Sequence, residues 1–263
     1  MLDIGSGRLL TDHGLGEARR TLAAPGSTLK PIVLYSLIAA GRWNPEQRVA
    51  CDRKLVVAGR RLACTHPLAP PFDAREALAW SCNSYFAQVA RTLRPGELGE
   101  LLRPTGLLGI TGLAGRMGTP EQGSPMEASA IFREPMSPEA AQLALLGVDG
   151  VRVTPLELAV AYRWLAVQLA AHPETTAAQV VSAGLADSAS FGMARQASHS
   201  GASVAGKTGT AEGTASTQSH GWFAGLAPAN KPQVVVVVYL PAGHGADAAG
   251  VAAELLAHSP VMP

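Results

Sequence analysis

The chain has 263 residues, of which 47% are hydrophobic and 16% charged, and its formal net charge is +1. This is enough apolar material for a sizeable core in one large domain or two small ones. Because the charge is nearly balanced, basic runs are missing and only 5% of residues are aromatic, composition excludes nucleic-acid binding as the main function.

Hydropathy predicts no membrane-spanning helix. The longest uninterrupted apolar stretches, residues 31–40 and 234–240, fall far short of the roughly 20 residues that a span requires. Residues 143–171 form a longer apolar stretch, but four charged residues interrupt it. The first residues also lack the pattern of a secretory signal peptide. The chain is therefore either a cytoplasmic protein or a domain of a longer one.

The first third of the chain predicts a hairpin followed by a helix. Residues 2–12 alternate around Gly5-Ser6-Gly7, which is typical of two short paired strands. Residues 29–40 predict a helix that ends at Gly41, with Pro31 in the first turn where proline is tolerated.

The chain has three cysteines, two beside a predicted hairpin and one further along the chain. Residues 54–62 predict a second hairpin around Ala58-Gly59, with Cys51 before it and Cys64 after it. Two interpretations follow: a disulfide, which would imply an oxidising compartment, or two ordinary thiols at strand ends. Cys82 is interpreted as a small buried thiol without a chemical role.

The middle of the chain is mainly helical. Residues 74–93 predict a helix broken at residues 80–83, and residues 104–138, rich in Gly and Pro, predict loops. Residues 154–171 are the clearest helix, because Thr154 and Glu157 have the spacing of a capping box and Pro155 lies between them. Residues 176–196 predict one or two further helices.

The last part of the chain predicts strands and a closing helix: strands over residues 204–212, 220–227 and 233–240, and a helix over residues 246–257. The expected fold is therefore α/β, with an antiparallel sheet built from both chain ends, flanked by helices, and an all-helical subdomain inserted. We expect one domain over residues 1–263. Its sheet subdomain would comprise about residues 1–26 and 200–263, and its mainly helical subdomain about residues 42–150.

Three short motifs carry the functional prediction. They are Ser27-Thr28-Leu29-Lys30, Ser81-Cys82-Asn83 and Lys207-Thr208-Gly209, which fit S-x-x-K, S-x-N and K-T-G. Each motif alone is weak and is compatible with a helix cap, a polar loop or an ordinary strand. Together, in this order and in these structural contexts, they indicate a serine acyl-transfer site.

The first motif predicts a nucleophile and its base. A serine hydroxyl needs a partner that removes its proton, and Lys30 lies one helical turn after Ser27. A neutral Lys30 can accept that proton if burial or the nearby charge of Lys207 lowers its pKa. The backbone N–H of Ser27, at a helix N-terminus, is a natural oxyanion donor.

The other two motifs predict a proton relay and a substrate-binding strand. Ser81 can relay a proton between Lys30, Lys207 and a leaving group, and Asn83 can hold a substrate amide and the Lys30 amine. The third motif predicts an edge strand on which an extended substrate can pair. There Gly209 permits close approach, Lys207, Thr208 and Thr210 suit a carboxylate, and the Thr210 N–H is the second oxyanion donor.

With these motifs in place, the sequence resembles the transpeptidase domain of penicillin-binding proteins. The similar segments are residues 25–31, 81–86, 153–159, 206–212 and 220–225. The resemblance implies a D,D-transpeptidase or carboxypeptidase in which Ser27 attacks the bond between two terminal D-alanines of a peptidoglycan stem peptide. It also implies acylation by β-lactam antibiotics and no requirement for a metal or organic cofactor.

The resemblance also implies a location. Full-length family members carry a membrane anchor before the region where this chain begins. We therefore expect an extracytoplasmic domain, in the periplasm or at the cell surface, of a protein anchored through a segment that this chain does not contain. Stem peptides and β-lactams are the expected partners, and nucleic acid is not.

Other functions of the same fold remain alternatives. A serine β-lactamase needs a base that activates water, and Glu127, Glu134 and Glu139 lie in a loop region without a pattern that marks one of them. A β-lactam sensor would keep the acylating residues and lose transfer, and an esterase would use the same nucleophile.

Overall fold

The computed structural model describes residues 1–113, 127–199, 201, 203–212 and 218–259. The helices, in chain order, are α1 (Leu15–Ala18), α2 (Lys30–Ala39), α3 (Ala74–Ala79), α4 (Asn83–Ala90), α5 (Glu97–Leu102), α6 (Pro138–Leu145), α7 (Pro155–Ala171), α8 (Thr176–Ser190) and α9 (Gly245–Ala257). The strands are β1 (Leu2–Asp3), β2 (Val56–Val57), β3 (Arg60–Arg61), β4 (Ile131–Phe132), β5 (Val151–Arg152), β6 (Ala205–Glu212), β7 (Ser219–Ala227) and β8 (Val234–Leu240).

A four-stranded antiparallel sheet joins the two ends of the chain. Its strand order is β1–β8–β7–β6, and Leu2 of β1 pairs with Val235 of β8. Leu2 also bridges Leu9, so the hairpin predicted over residues 2–12 is present in a short form. This sheet and the helices around it confirm the predicted α/β fold class.

The valine-rich strand β8 is covered on both faces, as the continuous apolar run predicts. Val235 packs into the main core, with residues of α2, α7 and α8, whereas Val236 packs into a second cluster under α9. Both side chains are fully buried. Because successive side chains of a strand point to opposite faces, the sheet lies between a helical layer on its inner face and α9 on its outer face.

The long helices form where the sequence predicts them. Helix α2 ends at Ala39, and Gly41 shortly after it has a φ of +65°, the left-handed conformation that glycine adopts most readily. Helix α7 begins with the predicted capping box, in which Thr154 and Glu157 exchange side-chain and backbone hydrogen bonds. The N-terminal half of α7 is buried between the sheet and the other helices.

Three helices lie where no helix is predicted, and the first of them, α1, is only four residues long. Helix α5 is only six residues long and follows Gly96 in a left-handed conformation, so its sequence lacks a clear capping signal. Helix α6 begins at the end of residues 104–138, which predict loops. The described residues 106–113 and 127–137 of that stretch are loop apart from β4, which pairs with β5. Residues 114–126 of that region lie outside the described residues. In the described part of the chain, no helix is long and apolar enough to cross a membrane.

Candidate active site

Ser27 lies in a tight turn that leads into α2. Residues Gly26–Leu29 form a 3-10 turn, Ser27 is half-buried, and no side chain caps the turn. Gly26 has a φ of +56°, and a Cβ atom at this position would lie 2.9 Å from both the amide nitrogen and the carbonyl oxygen of Thr210. The N–H and C=O groups of one strand residue point to the same edge, so the polar edge of Thr210 faces the turn that carries Ser27.

Two further glycines allow the backbone of neighbouring segments to pack against this turn from both sides. A side chain on Gly209 of β6 would place its Cβ 2.5 Å from the carbonyl oxygen of Pro25, and a side chain on Gly147 would overlap the backbone of Gly26. The backbone N–H of Gly26 donates to the Gly147 carbonyl at 2.9 Å. The backbone that approaches Gly209 most closely is therefore that of the turn that carries Ser27.

Three buried side chains that the sequence analysis did not single out hold the same segment. Trp222 donates from Nε1 to the carbonyl of Ala24 at 2.9 Å, and His220 Nε2 lies 2.8 Å from the same oxygen. The hydroxyl of Tyr162, on α7, donates to the Thr28 carbonyl at 3.0 Å. Strand β7 and helix α7 thus fix the backbone on both sides of Ser27.

The amine of Lys30 connects the first motif with the second. Its Nζ lies 2.9 Å from the Ser81 carbonyl oxygen, 3.2 Å from Ser81 Oγ and 2.7 Å from Asn83 Oδ1. The Phe86 ring lies 4.9 Å from Nζ and adds a cation–π contact. An ammonium group has three N–H donors, and these three oxygens match them, so the predicted meeting of Lys30, Ser81 and Asn83 is observed.

Burial shifts the pKa of both lysines downward. Lys30 is fully buried, and loss of hydration lowers its pKa to about 8, although the neighbouring cysteines oppose this. Lys207 is also fully buried, and burial, followed by the positive charge of Lys30, lowers its pKa well below the usual value. Lys207 Nζ donates to the Thr208 carbonyl at 3.1 Å. Two amines with lowered pKa values in one site are typical of proton-transfer chemistry.

The second motif forms the break between α3 and α4. Ser81 has a φ of +56°, a left-handed conformation that is strained for a residue other than glycine. Asn83, the first residue of α4, accepts from Lys30 through Oδ1 and directs Nδ2 at the carbonyl oxygens of Leu62 and Ala63, at 3.2 and 3.4 Å. The Asn83 amide therefore joins Lys30 to the segment that follows β3.

The third motif lies on β6, at the edge of the sheet, as predicted. Lys207 and Gly209 face inward to the helices and the turn that carries Ser27, whereas Thr208 and Thr210 face α9. A Cβ on Gly245 would lie 2.7 Å from Thr208 Cβ, and the Thr210 hydroxyl accepts from the Gly245 N–H at 2.9 Å. Thr210 lines the cleft described next, but the structure does not bring the Thr208 hydroxyl to it.

A cleft with a volume of about 450 Å³ opens in front of these groups. Ser27, Asn83 and Thr210 line it, together with the hairpin of β2 and β3. That hairpin turns at Ala58 and Gly59, both with positive φ as a type I′ turn requires, which confirms its prediction. Arg60 crosses the cleft mouth, donating to the Val148 carbonyl at 3.2 Å and lying 3.7 Å from the Glu212 carboxylate.

A cluster of thiols and one imidazole lies behind the S-x-N loop. The candidate ligand atoms of Cys51, Cys64, His66 and Cys82 all lie within 4.8 Å of one another. All three cysteines are free thiols, so the structure has Cys51 and Cys64 close together, as the hairpin predicts, but without a disulfide. The Cys82 thiol, followed by backbone N–H groups of Ser84 and Asn83, lowers the pKa of Cys64. These four side chains are the group of described residues best suited to hold a metal ion.

A known protein family matches the sequence that forms this site. The Penicillin binding protein transpeptidase domain family matches residues 17–259, which is most of the chain. The chain belongs to this family. A search of curated proteins finds no match.

Solved structures show the same transpeptidase-domain fold. The crystal structure of a peptidoglycan glycosyltransferase from Burkholderia ambifaria has a TM-score of 0.78 at 20% identity, covering 97% of this chain and 85% of that one. The apo transpeptidase domain of penicillin-binding protein 3 from Burkholderia pseudomallei also has a TM-score of 0.78, at 21% identity, with coverage of 100% and 88%. Pseudomonas aeruginosa penicillin-binding protein 2 in complex with WCK 5153 has a TM-score of 0.72 at 21% identity, with coverage of 92% and 60%.

The glutamates weighed as hydrolytic bases lie away from the cleft of this transpeptidase domain. Glu127 accepts hydrogen bonds from Thr111 and from the backbone N–H of Gly112. Glu134 lies beside Gly99, and Glu139 is exposed in the first turn of α6. Among the described residues that line the cleft, Glu212 is the one that carries a carboxylate.

Proposed function

We propose that this chain is a serine D,D-transpeptidase domain that cross-links peptidoglycan stem peptides outside the cytoplasm through an acyl-enzyme on Ser27. The observation that supports this proposal most strongly is that the three motifs meet at one cleft. Ser27 lies on a turn clamped to β6, the buried Lys30 amine meets Ser81 and Asn83, and the Thr210 backbone faces the turn. Membership of the transpeptidase family supports the peptidoglycan substrate.

In the first step, the Ser27 hydroxyl attacks the carbonyl carbon of the penultimate D-alanine. Its proton goes to neutral Lys30. A neutral amine keeps two N–H donors, which suit the Ser81 carbonyl at 2.9 Å and Asn83 Oδ1 at 2.7 Å, and it frees one lone pair for the incoming proton. Because the pKa of Lys30 is about 8, a usable fraction of the amine is neutral near physiological pH.

The new negative charge on the former carbonyl oxygen needs two hydrogen-bond donors. We assign them to the backbone N–H groups of Ser27 and Thr210. The close packing of Gly26 against the Thr210 backbone supports this assignment, because it keeps the two N–H groups near each other. Donors that are fixed before the reaction stabilise the transition state without reorganisation.

Collapse of this intermediate breaks the carbon–nitrogen bond and forms the ester on Ser27. The departing D-alanine amine takes the proton that Lys30 received, with Ser81 Oγ, 3.2 Å from Nζ, as the relay. An acceptor amine from a second stem peptide then attacks the ester and regenerates the Ser27 hydroxyl; water in its place gives carboxypeptidase activity. Every group that moves a proton is thus a protein side chain or a substrate amine.

Among the described strands β6 lies at the edge of the sheet, and this position suits an extended peptide, because a peptide that adds to an edge strand gains main-chain hydrogen bonds. Such a peptide would lie in the cleft between Thr210 and the hairpin of β2 and β3, and its carboxylate would meet Arg60, Arg61 or the Thr210 hydroxyl. Thr208 is buried and does not line the cleft, so it is not part of this proposed site, whereas Thr210 is exposed and lines the cleft.

The central test is the intact mass of the chain after incubation with penicillin G, which mimics the D-alanyl-D-alanine end of the substrate. We expect one stoichiometric adduct on the wild-type chain and none on Ser27→Ala. Ser36→Ala is the matched control, because Ser36 lies on α2 and donates to the Ile32 carbonyl at 3.0 Å, away from the cleft. An adduct on Ser27→Ala at the same peptide, or none on the wild type, would defeat the proposal.

Turnover separates this function from that of a β-lactamase. No carboxylate of the described cleft other than Glu212 is available to activate water, and Glu212 lies beside Arg60. With a chromogenic cephalosporin we therefore expect a single burst equal to the enzyme concentration. Sustained hydrolysis would identify a β-lactamase, and acylation without transfer to any acceptor amine would identify a sensor.

A further inference from the structure

The cluster of Cys51, Cys64, His66 and Cys82 takes no part in acyl transfer, yet it places three sulfur donors and one nitrogen donor around a common centre. Cys64, His66 and Cys82 are buried and Cys51 is half-buried. Thiolates and imidazole are the ligands that Zn²⁺ prefers in proteins, and a set of three cysteines and one histidine is a usual structural zinc set.

The imidazole of His66 is held in the tautomer that a metal ligand needs. Its Nδ1 lies 2.7 Å from the Pro67 carbonyl oxygen, which can only accept, so the proton lies on Nδ1. The lone pair of Nε2 then points into the cluster, 3.3 Å from Cys51 Sγ. The ring is only 2% exposed and packs edge-on against Phe72. Histidines that bind metals donate their other N–H to a carbonyl in this way.

The sulfur atoms are similarly supported. The backbone N–H of Asn83 donates to Cys64 Sγ at 3.2 Å, a hydrogen bond that stabilises a thiolate. Cys82 is the N-cap residue of α4, so its sulfur lies at the positive end of an eight-residue helix. The hydrogen bond stabilises a thiolate at Cys64, whereas a buried thiolate at Cys82 or Cys51 is costly unless a cation balances its charge.

The spacing of the cluster also fits a tetrahedral ion. With Zn–S bonds of about 2.3 Å and a Zn–N bond of about 2.0 Å, neighbouring ligand atoms are about 3.4 to 3.8 Å apart. The observed pairs lie within 4.8 Å of one another. Side-chain shifts of about half an ångström therefore bring all four ligands to bonding distance of one ion.

We propose that Cys51, Cys64, His66 and Cys82 form a closed, tetrahedral Zn²⁺ site with a structural role. Four protein ligands fill the coordination shell, which leaves no position for a reactive water. The site departs from the expectation that the chain needs no metal. It rests on the ligand geometry alone and does not depend on the proposed acyl transfer.

The ion joins two parts of the cleft. Cys51 and Cys64 lie at the two ends of the segment that contains the hairpin of β2 and β3, which carries Arg60 over the cleft. Cys82 lies between Ser81 and Asn83, the two partners of the Lys30 amine. One ion therefore ties the cleft hairpin to the loop that positions Lys30, and its removal loosens both.

The test is metal analysis of the full chain purified without a metal-chelating column. We expect one zinc per chain by elemental mass spectrometry and protection of all three thiols from a thiol reagent until a chelator is added. Replacement by Co²⁺ should give a thiolate-to-cobalt charge-transfer band and the intense visible bands of a tetrahedral centre. Zinc content should fall to about one tenth or less in His66→Ala.

Matched variants keep the result interpretable if a ligand substitution affects folding. His66→Cys should retain one zinc and strengthen the cobalt charge-transfer band, because it supplies a fourth thiolate, whereas exposed His199→Ala should change nothing. A zinc-free wild-type chain with a Cys51–Cys64 disulfide, or with three freely reactive thiols, would overturn the proposal. So would full zinc content in His66→Ala. Formation of the penicillin adduct is scored separately, so that its failure leaves the metal result intact.

Discussion

Lys30 and Lys207 are two amines buried in one site, and burying a charged amine is costly unless it is hydrogen-bonded or becomes neutral. Lys30 uses both solutions. Three oxygens from Ser81 and Asn83 solvate it as an ammonium, and two of them still serve the neutral amine. The S-x-N loop thus supplies the hydrogen-bond acceptors that water would otherwise provide to Lys30. The strained φ of Ser81 is tolerated because it belongs to the loop that makes these hydrogen bonds.

The pKa of Lys30 predicts the pH dependence of acylation. Burial lowers this pKa to about 8, so at lower pH most of the amine is protonated and unable to accept the Ser27 proton. The rate constant for acylation by penicillin should rise about tenfold per pH unit below that value and level off above it. Measurement is by quenched-flow mass spectrometry, with Ser27→Ala subtracting hydrolysis of the antibiotic itself.

Other groups face Lys30 and would show in the same profile. Lys207 lies near enough for the two charges to interact, and negative charge on Cys64, Cys82 and Cys51 opposes the lowering of the Lys30 pKa. A rate that is constant from well below to well above pH 8 would contradict the role of Lys30 as base.

The contact of Gly26 with Thr210 predicts the effect of a single methyl group. In Gly26→Ala, the new Cβ would lie 2.9 Å from the Thr210 backbone and the residue would have to keep a φ of +56°. We expect acylation to fall about 100-fold, because a displaced nucleophile turn misplaces both Ser27 and its oxyanion donors. Penicillin adduct formation measures this loss.

Gly41→Ala is the control for backbone strain. Gly41 has a φ of +65°, but nothing lies within 4 Å of its missing Cβ, so this variant carries only the conformational cost of about 1 to 2 kcal/mol. Its stability in urea should fall while its acylation rate stays unchanged. Equal acylation rates in Gly26→Ala and Gly41→Ala would show that the Thr210 contact does not position the nucleophile.

Single residues of the site could be predicted only where a motif marks them. S-x-x-K, S-x-N and K-T-G mark Ser27, Lys30, Ser81, Asn83 and Lys207, since their chemistry fixes residue type and local spacing. Tyr162, His220 and Trp222 hold the nucleophile segment through side-chain bonds to backbone carbonyls, and such bonds leave no mark in the sequence. The Cys–His cluster has irregular spacing, so only its residue types hint at it.

At the scale of elements, a capping signal helps to predict a helix but does not decide the matter alone. Thr154 and Glu157 mark the start of α7, and the structure has that capping box. Helix α6 also has an N-cap signal, Ser137 followed by Pro138, and Ser137 Oγ accepts from the Ala140 N–H at 3.1 Å. This signal stands at the end of a Gly- and Pro-rich stretch that predicts loops. Helix α5, six residues long after a left-handed glycine, has no comparable mark.

Helix α7 supports the turn that carries Ser27 through one buried hydrogen bond, and loss of that bond should lower stability measurably. Tyr162→Phe removes the donor to the Thr28 carbonyl and leaves that buried oxygen unpaired. The free energy of unfolding should fall by about 1 to 3 kcal/mol. Urea denaturation followed by circular dichroism measures it, and adduct formation should slow less than in Gly26→Ala.

Tyr35→Phe is the matched control for loss of a phenolic hydroxyl. Tyr35 is a buried residue of α2 packed edge-on against Trp164, and within the described residues its hydroxyl has no hydrogen-bond partner. Its variant should be nearly as stable as the wild type. If the free energy of unfolding fell equally in the two variants, the hydrogen bond to the Thr28 carbonyl would make no measurable contribution to stability.

At the scale of the whole molecule, the sheet explains why motifs from opposite ends of the chain meet. Strand β1 pairs with β8, and β6 lies at the other edge against the turn that precedes α2. Strand types follow from β-branched runs and turn residues, but strand order and register depend on packing between distant residues, which local patterns do not encode. The meeting of Ser27, Asn83 and Thr210 therefore needed the fold, or family resemblance, to be predicted.

A pair of neighbouring valines tests whether residues 1–263 form one cooperative domain, as we predict. Val235 packs into the main core and Val236 into the cluster under α9, and both are fully buried. Because the two cores share β8, Val235→Ala and Val236→Ala should each lower the free energy of unfolding by about 1 to 3 kcal/mol, within a single transition. Tryptophan fluorescence and far-ultraviolet circular dichroism should report the same midpoint in each variant. Two transitions, with each variant moving only one of them, would instead divide the chain into two independently folding units that meet at the sheet.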